Sequence, residues 1–180
     1  GRMAEPASGG ISEKLFDKGF RTGRMKTGTP ARLDGRSINF SKLIEQKGDE
    51  EPTTFSYLNS DNIISKQRSC YIGHTNKKVH DELASSFEES PLFNGTIQSI
   101  GPRYCPSIED KVVTFNEKES HQLFLEPEGF DTEEYYINGF SSSLPWEAQL
   151  KALRLVPGLE NVKIFRPGYA IEYDYFDPTQ

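Results

Sequence analysis

Lys111-Val112-Val113-Thr114-Phe115-Asn116-Glu117-Lys118-Glu119-Ser120-His121-Gln122-Leu123-Phe124-Leu125 is the stretch on which the fold reading turns. Apolar and polar residues alternate on both sides of the polar run 116–120, the pattern of two half-buried strands joined by a hairpin. Outward from it, residues 134–137, 162–166 and 169–176 add strand-like runs toward the C-terminus, and 69–74 and 20–26 add two toward the N-terminus. Residues 27–32, Thr-Gly-Thr-Pro-Ala-Arg, have the composition of a tight loop. Helical spacing occurs in residues 7–18, with Ser8 or Ser12 as caps, in 76–87 behind Thr75 as cap, and after Leu144-Pro145. Residues 47–68 read as mostly irregular backbone. Strands outnumber helices, which predicts an α+β fold with a mixed, largely antiparallel sheet and a few helices.

Immediately before the opening stretch, and sharing Lys111 with it, lies Gly101-Pro102-Arg103-Tyr104-Cys105-Pro106-Ser107-Ile108-Glu109-Asp110-Lys111. The two prolines fix their own φ and push the preceding residues toward extended conformations, so Cys105 is held between stiff points. Its thiolate is the reactive form, and Arg103 and Lys111 are near in sequence to stabilise it. The alternative is a small buried hydrophobe, the ordinary state of an intracellular cysteine. Glu109, Asp110, Glu126 and Glu128 are candidates for acid-base work, the first two equally for the beginning of a strand or a cap beside Lys111.

The 180 residues suit one domain with a real core; 34% are hydrophobic and 12% aromatic. A net charge of -6 argues against bulk attraction to nucleic acid but leaves room for a local basic face. Arg21, Arg24, Lys26, Arg32, Arg36, Arg103 and Lys111, with aromatics between them, are candidates for such a face; ordinary surface charge is the alternative. Cys70, His74, His80, Cys105 and His121 lack paired metal-ligand spacing, so no metal is expected. Residues 23–29 have the glycine spacing of a phosphate loop without its lysine, and no dinucleotide fingerprint occurs. Two cysteines, no signal-like start and no bilayer-length apolar run predict a cytoplasmic protein with no membrane association. The chain opens at Gly1 and stops at Gln180 just after a strand-like run, and reads as a piece of a longer protein.

Several runs together carry a resemblance. Residues 23–30 (GRMKTGTP), 70–76 (CYIGHTN), 101–111 (GPRYCPSIEDK), 124–129 (FLEPEG) and 166–178 (RPGYAIEYDYFDP) resemble the glucose-inhibited division protein A family, also called MnmG. The chain departs from the family pattern at Ala31, usually proline, and at Gly73, usually threonine, and lacks the family's glycine-rich dinucleotide-binding and C-terminal helical parts. The resemblance implies residues 1–180 to be a single domain inserted in a larger FAD-binding protein, with Gly1 and Gln180 close together. It implies an enzyme of tRNA modification using FAD, NADH and methylenetetrahydrofolate, working as a homodimer with a partner GTPase (MnmE, or TrmE) on C5 of the wobble uridine. Cys105 matches a cysteine with a catalytic role, and Arg103 shares its motif. By their place near the joins, Lys26, Thr27, Gly28, Thr29, Pro30, Tyr169 and Tyr173 are expected to face cofactor, and Arg24, Arg32, Arg36 and Lys111 to meet tRNA. The piece alone is expected to be inactive; the competing reading is a non-catalytic tRNA- or dimer-binding module.

Overall fold

Alternation in the C-terminal half of the opening stretch puts Leu123 and Leu125 on one sheet face, where both are fully buried with Ile137 of the next strand. The computed structural model describes residues 5–6, 8–54, 56–58, 66–102 and 104–179. Its strands are β1 (Thr22–Asp34), β2 (Ile44–Gln46), β3 (Cys70–His74), β4 (Gln122–Pro127), β5 (Glu134–Ser142), β6 (Ile164–Arg166) and β7 (Ala170–Phe176). They form one sheet in the order β2-β3-β4-β5-β1-β6, with β7 also paired to β1. Every pairing between these strands is antiparallel, and Met25 to Ile100 is an isolated parallel bridge. The α+β expectation holds.

The helices are α1 (Ile11–Phe16), α2 (Lys77–Ala84), α3 (Ile108–Thr114) and α4 (Trp146–Leu153). α2 packs on α3 and α4, and α3 packs on β5. Val79, Leu83, Ile108, Leu123, Leu125, Ile137, Phe140 and Leu153 are fully buried in one core cluster. Each such side chain contributes about 1.5–3 kcal/mol of burial.

The first half of the opening stretch is not a strand. Residues 111–115 lie in and at the end of α3, because Ser107-x-x-Asp110 is a reciprocal cap: the Ser107 hydroxyl accepts from Asp110 N–H (3.1 Å), and the Asp110 carboxylate accepts from Ser107 N–H (3.1 Å). With that start, Ile108 and Val112 fall one turn apart on the packed side while Val113 is half exposed. The cap outweighs a weak period-two pattern.

Residues 27–32 are likewise not a loop. β1 runs straight through them, with β7 along its first half and β5 and β6 flanking its second. Pro30, which has no N–H to give, sits where the β1–β5 register shifts. Strands β6 and β7 form one antiparallel run against β1, since Arg32 faces Arg166 and, four residues along each, Gly28 faces Ala170. At Gly168, between them, a Cβ would stand 2.2 Å from the Thr29 carbonyl, so only glycine lets the run pass.

Two caps differ from expectation. Asn76, not Thr75, caps α2 by accepting from Val79 N–H (3.1 Å), and Gly10 in the left-handed region precedes α1 in place of Ser8 or Ser12. Thr75 instead bonds the His80 ring (2.8 Å) and accepts from His121 N–H (2.8 Å). Gly1 and Gln180 lie outside the described residues, as do Ala7 and Arg103; inward of the chain ends, Thr22 pairs with Phe176, and Ser12 donates to Asp174 (2.6 Å). Residues 47–54, 56–58 and 66–68 carry no helix or strand, and Ser69, read as the start of a strand, lies just before β3.

Candidate active site

β1 and α3 place the thiol. Cys105 is exposed two residues before the α3 cap, and Thr27 of β1 donates its hydroxyl to the Cys105 carbonyl at 3.3 Å. The same hydroxyl is 3.9 Å from the Cys105 Sγ. Lys111, on the next turn of α3, donates Nζ to the Gly139 carbonyl (3.1 Å). Gly139 has φ 92° and marks a bulge: the inward residues of β5 are Tyr135 and Ile137 before it, Phe140 and Ser142 after it. Burial pushes the Lys111 ammonium below the usual lysine range, and the Cys105 charge opposes that shift. Burial also pushes the Tyr136 phenol up, against the pull of Arg32, with Glu126, Cys105 and Glu128 adding to the rise. Cys105 is therefore within electrostatic reach of both Lys111 and Tyr136.

Of the residues expected at a cofactor, Lys26 to Pro30 follow one another on β1. The Lys26 ammonium is taken up inside the fold, donating to the Leu92 (2.7 Å) and Ile97 (3.2 Å) carbonyls. Gly28 backs onto Ser142, whose main chain a Cβ would meet at 2.9 Å. Thr29 donates to the Tyr169 carbonyl (3.2 Å) and accepts from its N–H (2.9 Å). Thr29, Pro30 and Tyr169 share a groove of about 280 Å³ with Arg32, Tyr136 and Arg166. Tyr173 is on β7, its hydroxyl 3.8 Å from the Met25 sulfur. Of the seven, Lys26 and Thr29 spend side-chain hydrogen bonds within the fold, while Thr29, Pro30 and Tyr169 border the groove.

Three of the four expected tRNA-facing cations have acidic partners. Arg24 bonds Asp174 (2.9 Å) and approaches Glu172 (3.5 Å), both on β7. Arg32 is paired with Glu128, lies 3.8 Å from Glu134 and stacks on Tyr136 at 4.3 Å. Arg36, in the 3-10 turn after β1, grips Asp34 with two 2.8 Å bonds, which hold the Asp34 carboxyl below its usual range. Lys111 alone of the four belongs to the thiol's surroundings.

Sequence reasoning missed Tyr136, although the alternation of residues 134–137 places it on the open face. Pairings there line up Gln46 with Cys70, Glu126 with Tyr136, and Arg32 with both Tyr136 and Arg166. Glu109, weighed as an acid-base candidate, is fully buried and makes no cap. Among the described residues no three of His, Cys, Asp and Glu form a metal-holding group, and no helix is long and apolar enough to cross a membrane.

Geometry of this kind defines an α+β domain that presents a loop-borne thiol at its surface, beside a half-buried lysine, rather than enclosing a ligand. The model of one family, glucose inhibited division protein A, matches residues 1–180. The tRNA uridine 5-carboxymethylaminomethyl modification enzyme MnmG of Porphyromonas gingivalis is 63% identical over 180 residues, all of this chain and 29% of its own length. The enzyme of the same name from Flavobacterium johnsoniae is 61% identical over the same span. The crystal structure of Aquifex aeolicus GidA, form I, superposes with a TM-score of 0.85 at 49% identity, covering 99% of this chain and 31% of that one. The chain belongs to the glucose inhibited division protein A family, and spans under a third of the length of these relatives.

Proposed function

We propose that these residues form the thiol-bearing inserted domain of a tRNA uridine modification enzyme, in which Cys105 is the nucleophile. The observation that carries the proposal is the exposed Cys105, tied to Thr27 and within reach of Lys111. The family and the names of its relatives support the substrate class. The thiolate adds to C6 of the wobble uracil, and the ring electrons move onto the C4 carbonyl, making C5 nucleophilic. C5 would then add to an iminium methylene carbon derived from methylenetetrahydrofolate, with the C=N π electron pair returning to the nitrogen. Loss of the C5 proton expels the thiolate and restores the ring.

Lys111 lies within electrostatic reach of the thiol, Thr27 fixes the turn, and Arg103, which shares the sequence motif of Cys105, is assigned a catalytic role with it. FAD and NADH supply redox chemistry from the longer protein, a cytoplasmic homodimer working with a GTPase partner. Tyr169, Thr29 and Pro30 line the groove that faces a cofactor, and Arg32 at its edge, with Arg24 and Arg36, meets tRNA. Residues 1–180 alone purify colourless and turn over nothing; near-stoichiometric flavin absorbance would refute that. The decisive assay is tRNA modification by the full-length protein carrying Cys105→Ser or Cys70→Ser. Only the first is expected to abolish it, and retained activity in Cys105→Ser removes the proposal.

A further inference from the structure

Glu109 lies four residues after Cys105, on the first turn of α3, and has no exposed surface. Its Oε1 accepts from Ser143 N–H (2.8 Å), the Ser142 hydroxyl (3.0 Å) and the Ser143 hydroxyl (3.3 Å), while Oε2 has no hydrogen-bond partner. Such an arrangement suits a neutral acid: an ionised carboxylate would leave a bare charged oxygen in the core, whereas the neutral form leaves one unpaired O–H. Burial pushes the group the same way, above the usual carboxylate range. A buried carboxyl costs more than a leucine of similar size, and the α3 start does not need it, since Ser107 and Asp110 form the cap.

The contacts of Glu109 lead to the site. Ser143 bonds Ser90 through their hydroxyls (2.6 Å), Ser90 accepts from Leu92 N–H (3.2 Å), and the Leu92 carbonyl accepts from Lys26 (2.7 Å). Lys26 neighbours Thr27, which bonds the Cys105 carbonyl. The Cys105 turn is thus fastened at two points: directly to β1, and through α3, β5 and the 90–97 segment back to β1.

We propose that Glu109 is a positioning residue, a buried clamp that holds the Cys105 turn within electrostatic reach of Lys111. The inference rests on the reading of Cys105 as the working thiol. Its test is the rate at which iodoacetamide alkylates Cys105 and Cys70 at neutral pH in the full-length protein, followed peptide by peptide.

Glu109→Ala frees the turn, so Cys105 alkylation slows about tenfold as the thiol leaves its place near Lys111, while Cys70 stays within about twofold. Glu109→Gln keeps the accepting oxygen without a charge and restores the Cys105 rate to within about twofold of the native one. Should Glu109→Ala fail to fold, Ser143→Ala removes two hydroxyl bonds but leaves the N–H, and slows Cys105 about threefold. An unchanged Cys105 rate in the variants that fold, equal slowing at Cys70, or no rescue by Gln overturns the proposal. Retained tRNA modification in Cys105→Ser would instead remove the functional reading and leave the alkylation result standing.

Discussion

Cys70 and Cys105 set one side chain in two surroundings. Cys70 opens β3 on the open face of the sheet, half-buried, where burial first and then the charge of Glu126 push its thiol up. Cys105 is exposed on a turn fastened to β1, and half-buried Lys111 interacts with it electrostatically. The two thiols differ in their neighbours and not in residue type: a strand that pairs on both edges half-buries one near an acid, while a proline-bounded turn presents the other within reach of a lysine.

The largest effect that tests this contrast is on activity. Cys105→Ser should lower tRNA modification by the full-length protein at least about 10³-fold, with Cys70→Ser within about twofold. Comparable losses from both would end the contrast. Gly168→Ala comes next, because its Cβ would collide with the Thr29 carbonyl and crowd the Ser142 carbonyl at 2.9 Å. The collision involves main-chain atoms that cannot swing aside, so unfolding in urea should show a loss of about 3 kcal/mol. The disturbance falls on the β1–β5 side that carries Cys105 and spares the Cys70 rate.

A smaller effect concerns pH. The folded-state pKa of Glu109 lies above its ordinary value of 4.5, so its contribution to stability is fully present below that value and is lost as pH rises through the folded one. The groups facing it are the hydroxyls of Ser142, Ser143 and Ser107 and the N–H of Ser143, with no charged side chain among them. Thermal unfolding of Glu109→Gln should therefore lose less stability than the native protein between acid and mildly alkaline pH; parallel curves would contradict a neutral buried carboxyl. The smallest effect is Glu126→Gln, which removes the charge opposing the Cys70 thiolate. Cys70 alkylation should rise about twofold, limited because burial is the greater cause, with Cys105 unaffected.

Much of the fold was legible because β3, β4, β5 and the β6–β7 run announce themselves through alternation and turn residues. What misled were places where a local signal competes with a tertiary one. Val112 and Val113 look like a strand until the Ser107–Asp110 cap just upstream is noticed, a signal that was present in the sequence. Residues 27–32 look like a loop because glycine and proline usually break strands; here Gly28 admits the Ser142 main chain, and Pro30 falls at a register shift, neither of which is visible before β5 is placed. At the site, Cys105 and its prolines stand out in sequence. Thr27 and Glu109 acquire their roles only from pairings across 78 and 34 positions. The acidic partners of the cations are not legible in sequence: Asp174, Glu128 and Asp34 sit against Arg24, Arg32 and Arg36.

The central claim is that Cys105 bonds covalently to the uridine ring. Single-turnover reaction of the full-length protein with labelled tRNA, quenched and resolved under denaturing conditions, tests it most directly. The account predicts a protein–tRNA adduct that maps to the peptide containing Cys105 and vanishes in Cys105→Ser. An adduct of undiminished yield in that variant, or one that maps to Cys70, would contradict it.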